Sequence, residues 1–131
     1  MKPNKTITSE NGIYELFEHY VVVRFNEGCH VSLRHEGKFI KQLFHDNFTD
    51  KFGWISDRVH SYSFDPALIE YLANASNNLV CFASVSYSST VKNTHYLYDI
   101  FPETIALMDF AALSPAKDWV ESIVINNSPR S

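Results

Sequence analysis

The residues best suited to chemistry gather in one stretch. Asp57, Arg58, His60, Ser61, Tyr62, Ser63 and Asp65 stand where strand-like sequence gives way to a helix start. Ligands of open α/β folds bind outside the C-terminal ends of strands. The N–H groups of the following helix suit an anion, and the Arg58 guanidinium adds a planar fork of donors. The purely structural alternative is that Asp65 caps that helix and Asp57 pairs with Arg58 or closes a turn. His60 and Ser61 are neighbours, which invites a nucleophile-and-base reading. Adjacent strand residues point to opposite faces, however, and the chain has no G-x-S-x-G elbow, so no catalytic residue is assigned.

Other constellations are weaker. Cys29, His30 and His35 have neither C-x-x-C nor H-E-x-x-H spacing, and no second ligand pair follows them, so no metal is expected. Cys81 lies within the apolar run LVCFASV and reads as a core residue. Asp99, Glu103 and Asp109 are too dispersed to form an acid–base pair. Gly12, Gly28, Gly37 and Gly53 are isolated and form no phosphate-cradling loop, and no cofactor is expected. Tyr87, Tyr96 and Tyr98 fit an interface or the rim of an apolar pocket, with core packing as the alternative.

These residues must be positioned by a small set of elements. Residues 13–18 and 20–25 favour strand and can form a hairpin. Ser32 can cap a helix over 33–47, in which Phe39, Ile40, Leu43 and Phe44 make one apolar stripe. A short strand over 53–59 leads to a helix opened by Asp65 and Pro66, with Leu68, Ile69 and Leu72 facing the core. Residues 79–85 read as a central strand, covered on both faces. A helix is expected within 88–101 and a short strand over 104–108. Ser114 and Pro115 then open a last helix that buries Ala116, Trp119, Val120 and Ile123. The order predicts an α/β sandwich, a mixed but mostly parallel sheet with about four helices. Residues 1–12 are expected as a flexible arm, 13–125 as a single domain, and 126–131 as a polar tail.

With 131 residues, 45% of them hydrophobic, the chain can bury a core without staples. Its net charge of −4 and lack of a basic run argue against nucleic acid. Two cysteines and a polar N-terminus predict a reduced, cytoplasmic protein, and no run is long enough to span a membrane.

Two segments, GWISDRVHSYSFDP at 53–66 and FAALSPAKDWV at 110–120, resemble a SpoIIAA-like protein of the STAS-related class, a group of small bacterial proteins. The resemblance covers 13–124. It implies a non-enzymatic regulatory or protein-interaction module, homodimeric or bound to a regulatory partner. The alternative it leaves open is a carrier or sensor of a small apolar or anionic ligand, its cavity rimmed by Arg58, Tyr62 and Tyr98. The phosphorylatable serine of anti-sigma-factor antagonists falls near Ser61 and Ser63, although their Asp-Ser-Ser-Gly type sequence is replaced here by Asp57-Arg58-Val59-His60-Ser61.

Overall fold

The computed structural model describes residues 2–87 and 99–127. Three strands open the chain: β1 (Lys5–Thr8), β2 (Gly12–Leu16) and β3 (Tyr20–Phe25), paired antiparallel in that order. The arm expected over residues 1–12 is thus corrected, because its β-prone Thr6-Ile7-Thr8 segment joins the sheet as an edge strand. A two-residue strand β4 (His30–Val31) precedes helix α1 (Leu33–Asn47). Then come β5 (Phe52–Arg58), the two-residue β6 (Ser63–Phe64), α2 (Pro66–Asn74), β7 (Leu79–Ser86), β8 (Ala106–Phe110) and α3 (Leu113–Asn127).

The main sheet has the order β1-β2-β3-β5-β7-β8. From β3 onward every pairing is parallel, so the sheet is mixed and mostly parallel. A second, two-stranded sheet pairs β4 with β6. Crossovers that step in one direction with one handedness put their helices on one face. Accordingly α1 and α2 share a core with Tyr14, Trp54 and Phe82, while α3 covers the opposite face over Ile55, Cys81 and Ala83.

Three helices are observed among the described residues. The fourth, expected within 88–101, falls largely outside them, as do Tyr96 and Tyr98. Ser114 is not the cap of the last helix, which already begins at Leu113, and the last strand lies two residues later than expected. The polar tail also starts later, since α3 continues to Asn127. No helix is long and apolar enough to cross a membrane among the described residues.

Two details fix the site's frame. Ser32 caps α1 as the sequence predicts, its Oγ accepting the His35 N–H at 3.2 Å. Gly53 lets α3 approach β5, since a Cβ there would lie 2.4 Å from Val120 Cγ1 and 2.7 Å from Cys81 Sγ.

Candidate ligand pocket at the strand ends

The parallel register brings one set of side chains to the C-terminal ends of the strands on the α1/α2 face. Trp54 pairs across to Phe82, Ser56 to Ser84, and Arg58 to Ser86. Alternation puts Trp54, Ser56 and Arg58 on one face and Ile55 and Asp57 on the other. A pocket opens there, floored by Trp54 and Phe82, walled by Leu68, Ile69 and Leu72 of α2, and bounded further by Phe25, Tyr62 and Phe64. Its free volume is about 30 Å³, room for about two waters.

The pocket is apolar with a few polar groups. Trp54 donates its indole N–H to Ser56 Oγ at 2.9 Å, and Ser84 brings a second hydroxyl beside it. At the mouth the Arg58 guanidinium lies 4.9 Å from the Tyr62 ring centroid and 6.0 Å from that of Phe64. Among the described residues no carboxylate pairs with Arg58. The sequence from Ser88 to Tyr98 contains no aspartate or glutamate either.

The other sequence-predicted residues separate into three groups. Asp57 does not pair with Arg58, from which the strand alternation divides it. It is buried on the α3 face, where it accepts from Arg24 Nε at 2.7 Å and from the Tyr87 hydroxyl at 2.6 Å. Arg24 also binds Glu15. Tyr87 is half exposed, and partial burial and the Asp57 carboxylate push its hydroxyl up to about 12.

Ser63 and Asp65 form a second group, with a partner the sequence reading took only as a weak metal candidate. His30 Nδ1 lies 2.7 Å from Ser63 Oγ, and its Nε2 lies 2.8 Å from Asp65 Oδ1. Asp65 occupies the N-cap position of α2 but gives that helix no side-chain cap bond. Its second oxygen instead accepts the Leu33 N–H, at the start of α1, at 3.1 Å. The His30 contact, then the Leu33 N–H, hold the Asp65 carboxyl below its usual range. Ser63, His30 and Asp65 have the residue types of a hydrolytic triad, yet they sit on the outer side of β6. Tyr62 and Phe64 face the pocket, so Ser63 between them faces away from it. A phosphate on Ser63 would therefore meet His30 and Asp65 rather than Arg58.

His60 and Ser61 belong to the exposed approach to β6. The Ser61 N–H donates to Glu27 Oε1 at 3.0 Å, its carbonyl accepts the Gly28 N–H at 2.7 Å, and His60 lies 3.9 Å from Glu27. Gly28 has a φ of 75°, the left-handed conformation that glycine adopts without strain. Cys29 is half-buried and His35 bonds Ser32, and no group of three metal-ligating side chains occurs among the described residues.

The sequence reading missed Ser56 and Ser84, which stood inside apolar strand patterns, and Arg24, the partner of Asp57. It also missed buried Glu36, which accepts from Tyr14, Ser9 and Asn11 and is saturated by them. Strand period offered a signal for Ser56, since it shares a face with Trp54 and Arg58. The partnership of His30 with residues 63 and 65 is a tertiary contact with no local signal. No family model, curated protein or solved structure matches the chain.

Proposed function

We propose that the chain is a non-enzymatic recognition module that binds a small amphipathic anion. The apolar body would rest on Trp54 and Phe82, and a carboxylate or phosphate group would meet Arg58. The observation that carries this reading is Arg58 itself, stacked on Tyr62 at the mouth of an apolar pocket with no carboxylate among the described residues using its donors. A guanidinium held on an aromatic face keeps its edge available for a planar anion. The hydroxyls of Ser56 and Ser84 give the pocket polar points that would fix orientation. This brings the carrier or sensor alternative forward. The regulatory role implied by the SpoIIAA-like resemblance fits beside it, with ligand occupancy read at the exposed residues 59–61 by a protein partner or a second copy.

The test is a calorimetric titration with three probes of equal chain length: octanoate, octanol and octylamine. Octanoate is expected to bind one per chain and at least about tenfold more tightly than octanol, with octylamine weakest. Equal affinity for all three, or no binding of octanoate, would overturn the reading.

A further inference from the structure

We infer that the paired β4–β6 strands are a gate over the pocket and that His30 is the pin that holds it shut. The inference rests on the ligand reading above and adds how access to that site is controlled. Free space of about 30 Å³ cannot hold an eight-carbon chain, so some wall must move before one enters. The walls are unequal. Trp54 and Phe82 belong to the centre of a six-stranded sheet, and α2 is packed against α1. Tyr62 and Phe64 ride instead on a segment whose only strand partner among the described residues is the two-residue β4.

That segment is fastened from both sides: inside, Tyr62 meets Phe25 edge-on with ring centroids 5.2 Å apart, and Tyr62 and Phe64 pack on the α1/α2 core. Three backbone hydrogen bonds join it to residues 28–31: Gly28 N–H to Ser61 O, Ser63 N–H to Cys29 O and Asp65 N–H to Val31 O. His30 then bridges Ser63 of β6 and Asp65, the N-cap residue of α2, at once. Because Ser63 and Asp65 alternate with Tyr62 and Phe64, a contact made on the solvent side sets the position of the rings on the pocket side. His30 is thus a positioning residue, and the half-exposed ring is accessible to anything that competes for its two hydrogen bonds. Local opening is expected at a two-residue ladder held by three backbone hydrogen bonds and a half-exposed histidine.

Amide hydrogen exchange on the ligand-free protein tests the gate without assuming any ligand. The Ser63 and Asp65 amides should exchange at least about a hundredfold faster than those of Ile55 and Ser56, and His30→Ala should speed them about tenfold more. His30→Gln, which can restore one of the two contacts, should fall between. In stopped flow, monitored by Trp54 fluorescence, His30→Ala should raise the octanoate association rate by a similar factor. Gate amides as slow as those of β5, or unchanged in His30→Ala, would overturn the inference. Should the folded His30→Ala protein expose the gate while octanoate fails to bind either form, the gate stands and the ligand reading falls.

Discussion

Asp57 and Arg58 are adjacent in the chain and opposite in circumstance. Asp57 turns to the α3 face, loses nearly all contact with water, and has its two oxygens taken by Arg24 and Tyr87. Arg58 turns to the α1/α2 face, keeps partial exposure, and rests on aromatic rings with no carboxylate partner among the described residues. One charge is saturated and holds strands together. The other is uncommitted at the edge of a concavity. What separates structural from functional polarity here is whether the hydrogen-bonding capacity is already used, a property that residue type does not reveal.

The largest expected effect breaks the saturated side. Arg24→Met leaves the Asp57 carboxylate buried with Tyr87 as its remaining partner, and removing one member of a buried pair costs about 3 kcal/mol or more. Urea unfolding should show the midpoint falling with an unchanged slope. A loss below about 1 kcal/mol would mean that Asp57 is better hydrated than its burial implies. Next in size is Gly53→Ala, which forces Val120 and Cys81 away from β5 and should cost about 1–3 kcal/mol by overpacking. It acts on the α3 face, so any octanoate affinity of the folded protein should be preserved. Altered affinity would show that the two faces are coupled.

The fold was more legible than the site because periodicity survives in sequence and tertiary pairing does not. The apolar run from Leu79 to Val85 and the Phe39–Phe44 stripe identified their elements directly, and Ser32 announced α1. Lys5–Thr8 was misread because a short polar edge strand lacks the alternation that burial imposes. Asp65 was placed correctly at the helix start, but its side chain serves α1 and His30, over thirty residues upstream in the chain. Asp57 stands out in the sequence, where a structural reading pairs it with Arg58 or has it close a turn; Arg58 is its neighbour in sequence, but Arg24 is its neighbour in space.

Arg58→Met sharpens the comparison from the other side. It removes the charge and keeps most of the apolar stem, so the stability change should stay below about 1 kcal/mol, the loss of a partly exposed cation–π contact. Octanoate affinity should fall about tenfold while octanol affinity holds, which calorimetry reads directly. A destabilisation approaching that of Arg24→Met would show Arg58 to be as structural as its neighbour. Equal losses for both probes would show that it packs against ligand without sensing charge.

The smallest effect concerns the outer partner of Asp57. The hydroxyl of Tyr87 titrates near 12 in the folded protein against an ordinary 10.0, raised by partial burial, then by its bond to Asp57. Above pH 10 the unfolded chain releases this proton first, so the unfolded state binds fewer protons than the folded one and stability falls as pH rises. The contribution is fully present below pH 10 and is lost as pH approaches 12. Because the ring is half exposed, the change is modest and best isolated by difference. Absorbance titration at alkaline pH should show one late-ionising tyrosine fewer in Tyr87→Phe than in the parent, and the parent's stability should decline more steeply between pH 10 and 12. Identical titrations would mean that the Tyr87–Asp57 bond is open in solution, leaving Asp57 with an oxygen as uncommitted as the Arg58 guanidinium and removing the contrast between the two faces.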